Sequence, residues 1–291
     1  MLSDAELNRA RRMLRSLKGE VTLVVMRNGD AGKRMEELAR QLTRTSGRIK
    51  LRVEGGSANA PALAVEKAGR RAVVYRTLPV GRELTPFLET LKAAGGNSLP
   101  EVVLKPLKPE QEVELLVFVT SSCPRCARVV KRCNMLALRE SWIRSVVVDA
   151  LVEEKLREEY EVTATPTLVV DGKLKLEGDA SLREIAGAIE AVLDRRRRAE
   201  VVRQMLARGL AEKAGEWAAR DAAVAEALVG LIADSSMRVK MGAMLALEEL
   251  FRARPEMLRK LHGAFERLLA HEKENVRGDA AWVIERAKKF M

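Results

Sequence analysis

The stretch Val113-Glu-Leu-Leu-Val-Phe-Val119, followed closely by Ser122-Cys123-Pro124-Arg125-Cys126, decides the fold of this chain. Six of the first seven residues are apolar, which predicts a buried strand. The cysteine pair comes where this strand is expected to pass into a helix. Two cysteines three positions apart can close into a disulfide and reopen. The stretch therefore predicts a redox site at the end of a strand.

A cysteine pair after a strand is also compatible with half of a zinc site. Zinc needs about four ligands, and the other soft side chains are Cys133, His262 and His271. None of these three falls at a second paired spacing. We therefore predict redox chemistry with no metal and no cofactor, and zinc binding remains the alternative.

Composition limits the classes of function. The 291 residues are enough for two or three domains, and 47% apolar and 32% charged residues are typical of a soluble globular protein. The net charge of +11 raises the question of nucleic acid, but only 3% of residues are aromatic and could stack on bases. Solvated helix faces account better for the charge, so nucleic acid binding is the minor alternative. Abundant Arg and Glu with scarce Gln indicate a heat-adapted source.

Targeting signals are not evident in the sequence. Residues 1–20 form a charged amphipathic stretch rather than a signal peptide, and no run of about 18 apolar residues could span a membrane. Three cysteines do not make a structural disulfide framework. We expect a cytoplasmic protein without a membrane partner.

The patterns predict one order of elements twice, in residues 1–100 and 101–194, with a Gly- and Pro-rich connection between them. The first series has strands at 21–26, 49–53, 62–65 and 72–75 and helices at 33–42 and 81–91. The second has strands at 113–119, 146–148, 167–170 and 173–176 and helices ending near 140 and at 151–160 and 181–193. Gly29-Asp-Ala-Gly32 occupies the place of the cysteine motif in the first series.

Residues 195–291 show no strand pattern and instead repeat every 37 residues, with 195–198 expected to continue the preceding helix. The recurring apolar positions are Val202, Leu206 and Leu210, then Val239, Ala243 and Leu247, then Val276, Ala280 and Ile284. A repeat of this length predicts stacked helix pairs.

The second series resembles the thioredoxin family, on its strand, Cys-x-x-Cys, helix, distal Thr165-Pro166 and hairpin. Together with the tandem arrangement, the stretches Leu116–Cys126 and Tyr75–Leu84 make residues 1–194 similar to the double-thioredoxin protein disulfide oxidoreductases, or glutaredoxin-like proteins, of thermophiles. Residues 200–291 resemble HEAT-type repeats. The implied fold is two α/β thioredoxin-like units in tandem (1–194) followed by an all-α HEAT-like domain (200–291), within domains 1–100, 101–194 and 195–291.

The cysteines are expected to have different roles. Cys123 is predicted to be the nucleophile, because a helix N-terminus and the charges of Arg125 and Arg128 favour a thiolate. Cys126 is expected to attack the resulting mixed disulfide. Cys133 lies seven residues further along the helix and is interpreted as core packing.

The expected contacts of the substrate come from two short segments. Pro166 matches the family's cis-proline position, from which Thr165 would present its backbone to an extended substrate segment; the alternative is that Thr165-Pro166 forms only a turn. Pro124 and Arg125, between the cysteines, are also predicted to bind substrate.

The resemblance is incomplete in two respects. The family usually has a cysteine pair in each half, whereas the first half here has Gly29 and Gly32. Thioredoxins carry a buried carboxylate six residues before the first cysteine, where this chain has Val117. The proton acceptor for Cys126 is therefore not identified by the sequence.

The predicted function is that of a protein disulfide oxidoreductase. Its expected partners are proteins with disulfides, a thioredoxin reductase or a peroxiredoxin, and a protein docked on the helical repeats. The alternative is an interaction adaptor whose cysteine pair is a redox switch or has lost its role.

Overall fold

The computed structural model describes residues 2–55, 61–96 and 112–291. These residues form two compact units. Unit 1 comprises residues 1–172 and 176–187, and unit 2 comprises 173–175 and 188–291. The predicted connection at 92–111 lies mostly outside the described residues, apart from its first five positions.

The first half of unit 1 follows the predicted order of elements. Its first helix begins with a capping box, in which Ser3 and Glu6 satisfy each other's backbone N–H groups. A single 3-10 turn, Gly81–Glu83, precedes the last helix. The elements are α1 (Asp4–Leu14), β1 (Val21–Arg27), α2 (Gly29–Thr43), β2 (Ile49–Gly55), β3 (Ala62–Lys67), β4 (Arg70–Tyr75) and α3 (Leu84–Ala94).

The second half repeats this order with one additional helix, α5. The elements are β5 (Val113–Val119), α4 (Cys126–Arg139), β6 (Ile143–Asp149), α5 (Glu154–Glu159), β7 (Thr167–Val170), β8 (Leu174–Glu177) and α6 (Leu182–Leu193). The predicted helix at 151–160 was wrong at its start. The carboxylate and carbonyl of Asp149 accept hydrogen bonds from the next N–H groups, those of Leu151, Val152 and Glu153, so these residues form a turn and the helix begins at Glu154.

The two halves share one mixed sheet of eight strands, in the order β2-β1-β3-β4-β6-β5-β7-β8. Each half contributes four neighbouring strands, and β4 joins β6 in parallel. Strand β5 is parallel to β6 and antiparallel to β7. The carboxyl ends of β4, β5 and β6 therefore lie at the same edge of the sheet, which we call the cysteine edge.

A buried hydrogen-bond network fastens the halves together. Asn134 on α4 donates its amide hydrogens to Tyr75 and Thr90 of the first half, both at 2.9 Å, and accepts one from Ser145 at 2.8 Å. All four residues are completely buried. Buried polar groups need such partners because their water is lost on folding.

We expect Asn134→Ala to destabilise unit 1 by about 3 kcal/mol, because three buried polar groups each lose a partner. Tyr75→Phe, which removes one hydrogen bond, should cost about 1 kcal/mol. Urea unfolding followed by circular dichroism measures both, and exposed Asn8→Ala is the control, with a change within about 0.5 kcal/mol. Equal losses for Asn134→Ala and Asn8→Ala would contradict the role of the network.

Apart from residues 173–175, unit 2 is built of helices and their connections. The end of α6 is followed by α7 (Arg195–Ala207), α8 (Ala211–Arg220), α9 (Ala222–Leu231), α10 (Met237–Ala253), α11 (Met257–Lys260), α12 (His262–Leu269) and α13 (Glu274–Lys288). The expected continuation of α6 through 195–198 was wrong. The guanidinium of Arg198 binds the terminal carbonyls of Ala191 and Val192, which closes α6 before α7 begins.

Most of the repeating apolar positions lie in the core of unit 2. Val202, Leu206, Val239, Ala243, Leu247, Val276 and Ala280 are buried. Leu210 is an exception: it is 37% exposed, because it follows the Gly209 turn and precedes α8. Two helices cross closely at Gly215, where an added Cβ would lie 2.8 Å from the carbonyl oxygen of Ala246. In the described part of the chain, no helix combines the length and apolarity needed to cross a membrane.

Candidate active site

The cysteine pair lies at the cysteine edge, immediately after the central strand β5. The N–H of Cys123 donates to the carbonyl of Thr120 at 3.1 Å, which keeps the sulfur close to the end of the strand. Cys126 is the first residue of α4. Cys123 is 7% exposed and Cys126 is fully buried. The first cysteine is therefore the one that a partner can reach.

The two sulfurs are bonded to each other in the structure, with Cα atoms 5.6 Å apart. The backbone nitrogen of Cys126 lies 3.2 Å from Cys123 Sγ. A backbone N–H directed at this sulfur, at the first turn of a helix, stabilises negative charge on it once the disulfide opens.

A second segment approaches the same sulfur from the other side of β5. The Thr165-Pro166 peptide bond is cis, and the carbonyl oxygen of Thr165 lies 3.5 Å from Cys123 Sγ. The hydroxyl groups of Thr120 and Thr165 are 3.1 Å apart. The structure thus brings Thr165 and Pro166 together with the cysteine pair.

The two residues between the cysteines, Pro124 and Arg125, are exposed. The positive charge expected from Arg128 is partly offset. Its guanidinium forms an ion pair with Asp179 at 2.7 Å, and Arg132 forms a second one with the same carboxylate at 2.6 Å. Because two guanidinium groups share one carboxylate, this cluster keeps a net positive charge.

These ion pairs also connect the two segments of the site. Arg128 and Arg132 hold the pKa of the Asp179 carboxyl below its usual value. The preceding residue, Gly178, donates its N–H to the carbonyl of Pro166 at 2.8 Å. The loop at 178–179 therefore ties helix α4 to the Thr165-Pro166 segment.

A buried carboxyl that the sequence reasoning missed lies in the first half. Glu83 is 5% exposed, and neither carboxylate oxygen has a hydrogen-bond partner among the described residues. Burial raises its pKa to about 7. Glu83 belongs to the turn that precedes α3, and this turn packs against α4.

The alignment of α3 with α4 places Glu83 near the cysteine pair. Both helices follow strands that end at the cysteine edge. Glu89 contacts Lys131, 42 positions later, and Thr90 contacts Asn134, 44 positions later. The same offsets place Glu83 level with residues 125–127, the turn that contains Cys126. The sequence offered one indication of Glu83: it lies within Tyr75–Leu84, one of the two stretches that carry the family resemblance.

The other candidate ligands do not join the site. Cys133 is free and fully buried, and burial raises the pKa of its thiol. His262 and His271 belong to unit 2. Over residues 2–55, 61–96 and 112–291, no three side chains of the His, Cys, Asp or Glu type are grouped as metal ligands would be.

The first half does not have the backbone of a cysteine site. Gly29 has a φ of +58°, which side chains other than glycine rarely adopt. A Cβ on Gly32 would lie 3.0 Å from the Cα of Arg27. The Gly29–Gly32 segment therefore differs from the Cys123–Cys126 segment in its backbone geometry as well as in its lack of cysteines.

We expect that Gly29→Cys with Gly32→Cys, in a chain without Cys123 and Cys126, will not restore disulfide reduction. The left-handed backbone costs a substituted residue about 1–2 kcal/mol, and overpacking costs about 1–3 kcal/mol. Thermal unfolding and insulin reduction measure the two effects. Exposed Gly47→Cys, whose Cβ meets no atom within 4 Å, is the control. A stable variant that reduces insulin would contradict this expectation.

Comparison with known proteins identifies the second half. Residues 113–190 match the family described as Thioredoxin domain. An alkyl hydroperoxide reductase component of Pseudomonas putida is 24% identical over 167 residues, which are 56% of this chain and 32% of that protein. An NADH dehydrogenase of Ferdinandcohnia aciditolerans is 24% identical over 177 residues, 59% of this chain and 34% of that protein. The chain spans about a third of the length of these relatives.

Solved structures extend the similarity to the fold of both halves. The alkylhydroperoxide reductase protein AhpF of Enterococcus faecalis superposes with a TM-score of 0.59 at 16% identity, over 65% of this chain and 99% of that one. A protein disulfide oxidoreductase from Aeropyrum pernix also gives 0.59, at 19% identity, over 66% of this chain and 94% of that one. Unit 1 therefore has a thioredoxin-like α/β fold, and the segment that matches the thioredoxin domain, residues 113–190, carries the Cys123–Cys126 pair.

Proposed function

We propose that the chain is a thiol-disulfide oxidoreductase that acts on protein disulfides through Cys123 and Cys126. One observation carries the proposal: Cys123, the more exposed cysteine of the pair, has its Sγ close to both the backbone N–H of Cys126 and the carbonyl of Thr165. The N–H favours the thiolate, and the segment at Thr165 offers backbone groups to an extended substrate. Pro124 and Arg125 border the same opening.

In the first step, the Cys123 thiolate attacks one sulfur of the partner's disulfide. A mixed disulfide forms, and the partner's other sulfur leaves as a thiolate that takes a proton. The backbone nitrogen of Cys126 lies 3.2 Å from Cys123 Sγ in the oxidised protein. Its N–H stabilises the Cys123 thiolate before the attack. Cys123 is 7% exposed and Cys126 is fully buried, so the attack is assigned to Cys123.

In the second step, Cys126 must lose a proton before it attacks Cys123 Sγ. We propose Glu83 as the acceptor. Its position level with the Cys126 turn and its unpaired oxygens suit the role, and a pKa of about 7 leaves it partly ionised near neutral pH. The new disulfide releases the partner's second sulfur, which takes up the proton. The protein loses two thiol hydrogens and the partner gains them.

The names of the similar proteins suggest where the electrons come from or go. A protein disulfide oxidoreductase and a component of a hydroperoxide reductase are among them. We propose a thioredoxin reductase or a peroxiredoxin as the redox partner, in the cytoplasm, where a cysteine pair can cycle. Reduction of the Cys123–Cys126 disulfide by a purified thioredoxin reductase with its electron donor, or oxidation of the reduced pair by a purified oxidised peroxiredoxin, would distinguish them.

We further propose that unit 2 is a HEAT-like domain that docks a protein partner. Three exposed apolar side chains of α10, Met237, Met241 and Leu245, repeat every four residues and share one helix face.

The proposed division into 1–100, 101–194 and 195–291 treats the first two as duplicated modules of one sheet. Limited proteolysis would test the boundary near 195.

The same exposed face supports the second candidate, an adaptor in which unit 2 carries the function. The two candidate functions differ in whether they require the Cys123–Cys126 pair. Reduction of insulin disulfides that requires Cys123 supports the oxidoreductase. Partner capture that requires residues 200–291 and persists without both cysteines of the pair supports the adaptor.

A further inference from the structure

Two large apolar side chains of unit 1 are exposed in the turn after β6, the strand that neighbours β5. Leu151 is 66% exposed and Val152 is 72% exposed. Among the described residues of unit 1, the other large apolar side chain that is exposed is Val53, at 38%. Exposed apolar surface of this kind often marks a contact with another molecule.

The turn that carries these side chains is well anchored. Asp149 accepts hydrogen bonds from the N–H groups of Leu151, at 2.9 Å, and Val152, at 3.1 Å. The following residue, Glu153, forms an ion pair with Arg76 at 2.8 Å. The side chains are therefore held outward by a fixed backbone.

This turn follows the strand next to the one that leads to the reactive sulfur. Val119 at the end of β5 is the register partner of Asp149 at the end of β6. The N–H of Ala150 also donates to the carbonyl of Val119 at 2.9 Å. Neighbouring strands lie about 4.8 Å apart. Since β6 and β7 flank β5, the turn and the Thr165 segment lie on opposite sides of β5.

We propose that Leu151 and Val152 form an apolar lip that binds an apolar side chain next to the disulfide of a protein substrate. This inference rests on the proposed function. A partner segment that binds at Thr165 and Cys123 and continues across the end of β5 reaches the lip on the β6 side. Burying the lip removes apolar surface from water, and this favours substrates with Leu, Ile, Val or Phe at that place.

Paired peptides test the lip. Each peptide has one internal disulfide, and the two differ only in leucine or serine beside the attacked cysteine. We expect the reduced protein to react with the leucine peptide about tenfold faster in kcat/KM, as burial of part of one side chain would give. Leu151→Ser with Val152→Ser should remove this preference. Val53→Ser, at the exposed apolar side chain of β2, is the control and should retain it.

Oxidised glutathione separates the lip from the chemistry, because it has no apolar side chain to bind. All variants are expected to react with it at the wild-type rate. Failure of the wild-type protein to react with glutathione and both peptides would overturn the proposed function. Reaction without a preference for leucine, or with a preference unchanged in the lip variant, would overturn the lip alone. A wild-type dimer that the lip variant loses would show that a second copy occupies the surface and would also overturn it.

Discussion

Replacing Cys123 by serine is expected to lower insulin reduction by dithiothreitol-cycled protein by about a thousandfold or more, because a serine hydroxyl is not ionised and cannot form the mixed disulfide. The accessible sulfur of the pair is Cys123, so no other described thiol can replace it. Cys133 is completely buried. Turbidity of reduced insulin measures the rate.

Two further variants define the order of the steps. Cys126→Ser should also stop turnover, but it should accumulate a mixed disulfide between Cys123 and the partner, which mass spectrometry detects in a cell lysate. Cys133→Ala is the matched control and should turn over normally. Normal insulin reduction by Cys123→Ser would contradict the proposed function and leave the adaptor as the better explanation.

Replacing Glu83 by glutamine is expected to slow resolution of the mixed disulfide about a hundredfold at pH 7, the lower range for loss of a proton acceptor. Between pH 5 and 9, the wild-type rate should rise with an inflection near the pKa of about 7. The variant should lack this inflection. Stopped-flow measurement of single turnovers, with mixed disulfide formed in advance, isolates the step.

The same substitution should change the dependence of stability on pH in a known direction. Because the pKa of Glu83 is raised from 4.5 to about 7 in the folded protein, the folded state holds a proton that the unfolded state releases between these values. Wild-type stability should therefore fall, relative to Glu83→Gln, as the pH rises from about 4.5 to 7, by about 3 kcal/mol in total.

Glu89→Gln provides the control for both measurements. Glu89 lies on α3 and forms an exposed ion pair with Lys131 at 2.9 Å. Its replacement should alter neither the inflection near pH 7 nor the resolution rate. If Glu83→Gln keeps the wild-type pH profile, Glu83 is a buried structural carboxyl and the proton acceptor lies elsewhere.

A buried carboxyl with a raised pKa is costly for stability, and its presence near the cysteine motif is consistent with a role in chemistry. Glu83 comes from the half of unit 1 that has no cysteine pair. The first half thus supplies a proton acceptor and, through Tyr75 and Thr90, holds the helix that begins at Cys126. In this interpretation, a duplicated module has kept a supporting role for its partner's site.

The sequence by itself determined the features that depend on neighbouring residues. The apolar run at 113–119, the closely spaced strand patterns at 167–170 and 173–176 and the cysteine spacing each act over a few positions, so the strand, the hairpin and the redox pair could be predicted. The resemblance added the placement of Thr165 and Pro166. The 37-residue period indicated helices in unit 2, although it did not show the exposure of Leu210.

The tertiary structure alone decided the contacts between distant segments. Glu83 approaches the Cys126 turn only because β4 joins β6 and the two following helices run side by side. Asp179 forms its ion pair with Arg128 from 51 positions away along the chain, and the Glu153–Arg76 ion pair fixes the turn of Leu151 and Val152 to the first half. Hydrophobic periodicity reports which face of an element is buried. It does not report which element lies against that face, and the proton acceptor and the apolar lip depend on that arrangement.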